Sequence, residues 1–271
     1  MSPTPIELKE IGKVIRRDIL TMILEAGSGH VGGSLSAADI MVVLYWQVLH
    51  IKPDRPTWED RDRFVLSKAH AAPALYAALA RRGYFDVRDL LTFRKLKSKL
   101  QGSPDAQRTA GVDVSVGSPG EGLSIANGIA IAAKRASKTF RVYCLLGDGE
   151  VQEGQVWEAA LTGVRHKLDN VCAVIDLNGF MGAGPTQEIA PLNPLADKWR
   201  AFGWHVSEVD GHNAEQLVAA FAEAEAAKGQ PSVIVASTVK GKGVPFMEGK
   251  VEWHDRKLTV DLYEEAMKAL T

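Results

Sequence analysis

Two polar residues follow two successive apolar runs of the chain, at positions where strands would end. Asp148 follows residues 142–146 and Asn178 follows residues 171–177, with a helix-like segment between the two runs. This order predicts a strand, a turn, a helix and a parallel strand. Ligands of open α/β sheets bind at the carboxyl edge of the strands. We therefore expect Asp148 and Asn178 on neighbouring strand ends, although they are far apart in sequence.

The residue types at this predicted edge suit a hard cation that carries a diphosphate. Mg²⁺ takes about six oxygen ligands, one or two of them commonly from side chains and the rest from phosphate and water. Asp148 offers a charged oxygen, Asn178 a neutral one, and the backbone carbonyl of Phe180 could be a third. Gly149 permits close backbone approach. A helix beginning at Glu150 would direct free N–H groups at an anion.

Gly-Asp-Gly alone is most simply a turn, because glycine and aspartate dominate turns. Its place after an apolar strand, with an asparagine ending the next strand, favours the metal and diphosphate interpretation instead.

Three of the seven histidines lie in predicted loops at the ends of elements and are candidates for chemistry. These are His30 in Ser-Gly-His-Val-Gly-Gly, His70 in Ser-Lys-Ala-His-Ala-Ala, and His254 in Glu-Trp-His-Asp. A single loop histidine is more often a surface or hydrogen-bonded residue, but three of them beside a diphosphate motif favour function. The other four occupy helix or strand contexts and are assigned to structure: His50, His166, His205 and His212.

Alternating helix and strand patterns predict a doubly wound, mostly parallel α/β sheet with helices on both faces, in a single domain over residues 1–271. The predicted strands are residues 63–67, 142–146, 171–177, 205–209 and 232–239. The predicted helices are residues 6–26, 86–99, 123–136, 194–201, 214–228 and a last one from about 260. Two more are predicted: one begins near Ser36, which has capping-box spacing to Asp39, and one follows His70 and ends at Leu79.

Gly27–Ser34 matches the G-x-G-x-x-G dinucleotide fingerprint literally. That fingerprint requires a preceding strand, whereas a helix pattern precedes it here, so we reject a nicotinamide site.

Composition restricts the classes of partner. The 32 basic and 33 acidic residues are well mixed and give a net charge of −1, so bulk charge gives no case for binding nucleic acid or a membrane surface. No continuous apolar run approaches the 18 residues of a membrane span. Cys144 and Cys172 lie inside predicted strands without metal spacing, which indicates reduced thiols and a cytoplasmic protein.

The Gly-Asp-Gly and Asn178 pair resembles the thiamine diphosphate motif, and residues 147–159 (GDGEVQEGQVWEA) are similar to transketolases in particular. At least six motifs in the right order extend this resemblance over essentially the whole chain. It implies a thiamine diphosphate-binding fold and transfer of a two-carbon ketol unit from a ketose phosphate to an aldose phosphate.

The resemblance also assigns roles. It implies Mg²⁺ (or Ca²⁺ or Mn²⁺) at Asp148, Asn178 and Phe180. It places thiamine diphosphate against His70, Gly117, Ser118, Pro119, Asp148, Gly149, Asn178, Lys240 and His254. Catalytic roles fall on His30, on His254 and on Glu153, which matches a buried acid linking two cofactor sites. His30, Ser103 and His254 are expected to contact substrate.

Four positions depart from the family pattern. Ser103 stands where a histidine is expected to bond the donor sugar, and Asp255 where a glycine is expected after His254. Pro119 replaces a leucine and removes a backbone donor, and Glu121 replaces a glutamine. Because of these departures, the sequence determines the identity of the sugar substrate less closely than that of the cofactor.

The sequence resembles the N-terminal subunit of a two-chain transketolase. The implied partner is a C-terminal subunit with the pyrimidine-binding domain, in an α2β2 heterotetramer of carbohydrate metabolism. Three alternatives stay open: a related enzyme acting on an unusual sugar, a subunit of a 2-oxo-acid decarboxylating enzyme, and a degenerate homologue that only binds a partner.

Overall fold

The structure, a computed structural model, describes residues 3–271. Five strands form one parallel sheet: β1 (Arg63–Leu66), β2 (Val142–Gly147), β3 (Val171–Leu177), β4 (His205–Asp210) and β5 (Ser232–Ser237). Their order across the sheet is β1-β2-β3-β5-β4. The predicted strands are confirmed, with ends that differ by at most two residues and with β3 at its predicted bounds.

The helices are α1 (Pro5–Ala26), α2 (Val31–Val43), α3 (Ala72–Arg81), α4 (Glu121–Arg135), α5 (Gly154–Arg165), α6 (Thr186–Ile189), α7 (Leu195–Ala201), α8 (Ala214–Ala226) and α9 (Val260–Ala269). Thr4 caps α1 in a capping box with Glu7, and Asn213 caps α8 by accepting from two backbone N–H groups.

Helices cover both faces of the sheet, as predicted, because alternate residues of each strand point to opposite faces. In β2, Tyr143 and Leu145 pack with α1, α2, α3 and α8, whereas Val142, Cys144 and Leu146 pack with α4, α5 and α7. The central strands β2 and β3 are almost wholly buried, and β4 is a partly exposed edge strand. This burial on both faces explains why the sequences of the central strands are nearly continuous apolar runs.

The predicted start of the second helix is wrong. The helix α2 begins at Val31, inside the glycine-rich segment, and Ser36 is not its cap but a fully buried residue within it. Nearly every residue of α2 is buried between α1, α3 and α8. Tertiary packing therefore stabilises a helix that the local glycines disfavour.

The predicted helix over residues 86–99 is also wrong. Only Val87–Thr92 is helical, as a 3₁₀ helix, and turns follow it. Arg94 and Lys97 have left-handed backbone angles, with φ of 59° and 65°, which a helix cannot accommodate.

One stretch of the described chain, Val31–Val48, is long and apolar enough to cross a membrane by length and composition. In this fold 78% of that stretch is buried. Its apolar composition is thus accounted for by packing inside the core.

Candidate functional site

The strand ends of β2 and β3 meet as the sequence predicted. The two strands pair in parallel with Gly147 opposite Asp176, so Asp148 and Asn178 emerge at the same edge. The Oδ2 atom of Asp148 accepts a hydrogen bond of 2.6 Å from the N–H of Gly179. The Oδ1 atom of Asn178 accepts one of 3.1 Å from the N–H of Phe180. Both strand-end turns are therefore fixed by the side chains expected to bind a metal.

A cavity of about 570 Å³ opens at this edge. Nearly all of the sequence-predicted site residues line it: His30, His70, Ser103, Gly117, Pro119, Asp148, Gly149, Glu153, Asn178, Phe180, Lys240 and His254. Ser118 does not line the cavity, although its two neighbours do. Of the four departures from the family pattern, Ser103 and Pro119 line the cavity, while Glu121 and Asp255 do not.

The surroundings of Asp148 raise the pKa of its carboxyl group. Its side chain is buried, and the negative charge of Asp176 lies near it, so its pKa is raised to about 6. Backbone N–H donors and the charge of Lys68 oppose this rise without cancelling it. A cation placed here would be attracted to the carboxylate and would displace the proton.

The three candidate histidines form a triangle inside the cavity. Ring centroids are 5.3 Å apart for His30 and His70, 5.2 Å for His30 and His254, and 5.4 Å for His70 and His254. Burial, followed by the positive charge of Lys240, lowers the pKa of His254 to about 4. Burial, followed by the charge of Lys68, places the pKa of His70 well below its usual range. Burial, followed by the charge of Arg94, also lowers the pKa of His30, so all three rings favour the neutral form.

Two lysines bring positive charge to the cavity. Lys240 is almost fully buried, and its Nζ lies 3.1 Å from Nδ1 of His254. Burial, followed by the charge of Lys68, lowers the pKa of Lys240 to about 8. Lys68 is the second lysine, and sequence reasoning missed it. Its position two residues before His70 was the available signal.

Lys68 is held by a carboxylate that sequence reasoning also missed. Its Nζ pairs with Asp176, at the end of β3, and donates to the carbonyl of Gly33 at 3.1 Å. Asp176 also accepts from Ser36 at 2.6 Å and from Thr238. Burial raises the pKa of Asp176, but Lys68 and these donors outweigh it and hold the pKa below its usual value. Asp176 therefore orients Lys68 from beneath the site.

Glu150 has a different role from the predicted one. The chain at Glu150–Gln152 is a 3₁₀ turn, and α5 begins only at Gly154. Glu150 accepts from Ser67 and from the N–H groups of Gly120, at 2.7 Å, and Gly147, at 2.9 Å. It thus ties the end of β2 to two loops, at Ser67 and Gly120, and no helix end points at an anion from this residue.

Glycine is required at position 149 because the backbone passes close to a neighbouring loop. A Cβ atom there would lie 2.8 Å from Cβ of Met181, closer than side-chain atoms approach each other. Met181, Gly182 and Arg94 also line the cavity and were not predicted.

Glu153 lies at the cavity but is exposed, whereas the sequence resemblance implied a buried acid. Within residues 3–271 no other segment covers it.

The donor set of the cavity fits a metal-bound diphosphate. Two lysines could neutralise phosphate oxygens, while Asp148, Asn178 and the Phe180 carbonyl supply oxygen ligands of the kind Mg²⁺ prefers. Nδ1 of His30 is buried without a hydrogen-bond partner within the described chain, so it is free for a ligand. Residues 3–271 contain no cluster of three His, Cys, Asp or Glu side chains able to hold a metal by themselves. A metal here would need the phosphate oxygens as further ligands.

Comparison with known proteins identifies the family of the chain. Residues 8–270 match the family described as transketolase, thiamine diphosphate binding domain. The chain is 46% identical over 270 residues to the 6-deoxy-6-sulfo-D-fructose transketolase subunit SqwG of Clostridium sp. (strain MSTE9), covering 100% of this chain and 98% of that protein. It is 37% identical over 256 residues to a subunit of the apulose-4-phosphate transketolase of Phocaeicola vulgatus, covering 94% and 91%.

Longer transketolases match over part of their length. The human transketolase is 40% identical over 264 residues, which cover 97% of this chain and 42% of that protein. The crystal structure of the Campylobacter jejuni transketolase superimposes with a TM-score of 0.93 at 33% identity, covering 99% of this chain and 43% of that one. The expected fold and the expected reaction class are both confirmed. The chain belongs to the thiamine diphosphate-dependent transketolase family, which it matches through the family's thiamine diphosphate-binding N-terminal domain.

Proposed function

We propose that this chain binds Mg²⁺ and thiamine diphosphate in the 570 Å³ cavity and acts as the N-terminal subunit of a two-chain transketolase. The observation that carries the proposal is the convergence of Asp148, Asn178, Lys68 and Lys240 on one cavity at the sheet edge. Ca²⁺ or Mn²⁺ could replace Mg²⁺, since the donors are all oxygens. When bound, thiamine diphosphate supplies the nucleophile and the electron sink for cleaving the C2–C3 bond of a ketose.

The residues of the chain divide into two groups around this cofactor. Asp148, Asn178 and the Phe180 carbonyl hold the metal. The diphosphate is held by His70, Lys68 and Lys240, with the backbone of Gly149 against it. Gly117 and Pro119, and by sequence Ser118, form the loop that faces the aminopyrimidine.

His30 and His254 are proposed to move protons between substrate hydroxyl groups. A neutral imidazole has one donor and one acceptor nitrogen, so it can hydrogen-bond a hydroxyl and take its proton. The lowered pKa values of His30 and His254 keep both rings in this neutral form. Ser103 lies in the same cavity, where its hydroxyl can contact the donor sugar.

A partner chain is proposed to complete the site. Three relatives that this chain spans over at least nine-tenths of their length are named as subunits, the third being an apulose-4-phosphate transketolase subunit from Actinobacillus succinogenes. Leu161, on α5, is 59% exposed, and Glu153 before the same helix is also exposed. Both suit a surface that another chain covers. We propose a C-terminal subunit with the pyrimidine-binding domain, an α2β2 heterotetramer, and a cytoplasmic location in keeping with two buried free cysteines.

The purified chain alone is expected to show no ketol transfer, and activity is expected on addition of its C-terminal partner. The partner would supply the glutamate that activates the aminopyrimidine. A coupled assay with a ketose phosphate donor and an aldose phosphate acceptor measures this. Turnover by the unaided chain would contradict the two-chain proposal, while leaving the cofactor site in place.

The affinity for thiamine diphosphate with Mg²⁺ is expected to be highest between about pH 6 and pH 8. Below about pH 6 a proton competes with the metal for Asp148, and above about pH 8 Lys240 loses its charge. Each limb should approach a tenfold fall in affinity per pH unit. Calorimetry across this range measures the profile. Lys240→Met should remove the alkaline limb, and an alkaline limb unchanged in that variant would contradict the role of Lys240.

A related enzyme acting on an unusual anionic sugar is the second candidate. Ser103 in the cavity departs from the family pattern, and two relatives carry the names of a sulfo-sugar and an apulose phosphate transketolase. Arg94 adds a cation to the cavity wall that could meet a phosphate or sulfonate group. A donor screen on the reconstituted complex, with 2-oxo acids included, separates these activities from each other and from a decarboxylating enzyme.

A further inference from the structure

A polar network lies behind the loop that carries Lys240. It consists of Arg16 on α1, Asp39 on α2 and His212 after β4. These three residues line a second cavity of about 490 Å³, which shares no lining residue with the proposed cofactor cavity. His212 was assigned to structure from its sequence context, and nothing in the proposed chemistry uses it.

The hydrogen bonds of the network fix the state of the His212 ring. Nε2 of His212 lies 2.9 Å from the backbone N–H of Val239, and an amide N–H can only donate. Nε2 is therefore an unprotonated acceptor, and the ring proton lies on Nδ1, which donates to Oδ2 of Asp39 at 2.7 Å. Arg16 holds Asp39 through two hydrogen bonds of 3.0 Å and 2.6 Å.

The same network bonds the chain on both sides of Lys240. His212 accepts from Val239, and Nε of Arg16 donates to the carbonyl of Lys242 at 3.0 Å. Val239 lies just beyond β5. The N–H of Thr238 still bonds to Leu177 of β3, so the amide of Val239 is the first that the sheet leaves without a partner. This amide is partly buried and needs another partner, which a side chain provides here.

Lys240 has little room to adjust if its backbone moves. A Cβ at Gly32 would lie 2.9 Å from Cγ of Lys240, so the lysine side chain packs directly against α2. Its Nζ reaches Nδ1 of His254 at 3.1 Å. A change in the direction of the backbone at Val239 would therefore move the ammonium group of Lys240 in the cavity.

We propose that His212, oriented by Asp39, is a positioning residue that sets the direction in which Lys240 enters the diphosphate site. The inference rests on the proposed function, because it takes Lys240 to face a diphosphate. It adds that the geometry of this contact is controlled from the opposite side of the loop, by a ring that touches neither cofactor nor substrate.

Two substitutions of His212 separate its two hydrogen bonds. A glutamine side chain is long enough to bring its amide oxygen to the position of Nε2 and accept from Val239. An asparagine is shorter, reaches only the position of Nδ1, and leaves the Val239 amide unpaired. His166→Asn, at an exposed histidine after α5, is the matched control. Binding of magnesium pyrophosphate to the full chain is measured by calorimetry, and thermal unfolding is measured in parallel.

His212→Asn is expected to weaken binding of magnesium pyrophosphate by about tenfold or more, the usual effect of removing a group that orients a ligand. His212→Gln and His166→Asn are expected to stay within about threefold of the unaltered chain. His212→Ala removes both hydrogen bonds, so its affinity for magnesium pyrophosphate should resemble that of the asparagine variant. It is measured in place of the asparagine variant if that variant does not fold. Equal affinities of the glutamine and asparagine variants would overturn the inference. Failure of the unaltered chain to bind magnesium pyrophosphate would contradict the proposed function and with it this inference.

Discussion

Replacing Asp148 with alanine is expected to abolish metal-dependent retention of thiamine diphosphate, with a loss of affinity of about 100-fold or more. Even groups that only orient a metal ligand cost 10–100-fold when removed, and Asp148 is the charged ligand itself. Its carboxylate also accepts from Gly149 and Gly179 and so shapes both turns of the site. Calorimetric titration with thiamine diphosphate, with and without Mg²⁺, measures the effect.

Asp261→Ala, at an exposed carboxylate in the first turn of α9, is the control and should leave binding unchanged. An unchanged affinity in the Asp148 variant would refute the metal assignment. Loss of Mg²⁺ dependence together with retained weak binding of the cofactor would agree with it, because the lysines would still attract the diphosphate.

Replacing Lys68 with methionine is expected to lower the free energy of unfolding by about 3–5 kcal/mol, the usual cost of leaving one charge of a buried pair unpaired. The side chains of Lys68 and Asp176 are 1% and 0% exposed, so water cannot take the place of the missing partner. Asp176 would keep only neutral donors, from Ser36, Asn178 and Thr238. Denaturant unfolding without ligand measures the loss.

The double variant Lys68→Met, Asp176→Asn is the matched control and should recover much of the loss, because no charge is left buried. The pH dependence provides a second check. In the unaltered chain the pKa of Asp176 is lowered, so its contribution to stability is present at neutral pH and lost in acid. Without Lys68 burial raises that pKa, so the single variant should be relatively more stable in acid. Equal instability of the single and double variants would refute this explanation.

The sequence was most informative where local pattern and tertiary structure agree. Runs of β-branched and apolar residues predicted β3 at its observed bounds, because a strand buried on both faces admits few other residues. Gly-Asp-Gly and Asn178 located the site for the same reason: each directly follows such a strand. The three histidines were found through their predicted loop positions, and the structure brings their rings together.

The features that sequence reasoning missed depend on contacts between distant residues. Lys68 and Asp176 are 108 positions apart, and nothing local marks them as a pair. The local pattern predicted a helix start at Glu150, but its carboxylate bonds to the end of β2 and to two distant loops, at Ser67 and Gly120. The start of α2 was misplaced because its glycines are poor helix formers, and only burial between other helices stabilises them.

The residues that line the cofactor cavity come from segments spread between His30 and His254, so no short segment of the chain contains the site. Neighbouring parallel strands are joined by long crossover connections, and such non-local contacts are slow to form. Thiamine diphosphate would therefore recognise only fully folded chain, and at 100 times its dissociation constant it would add about 2.7 kcal/mol to stability. A cell deprived of thiamine would then contain less of the protein, because degradation removes the chains that have no cofactor bound.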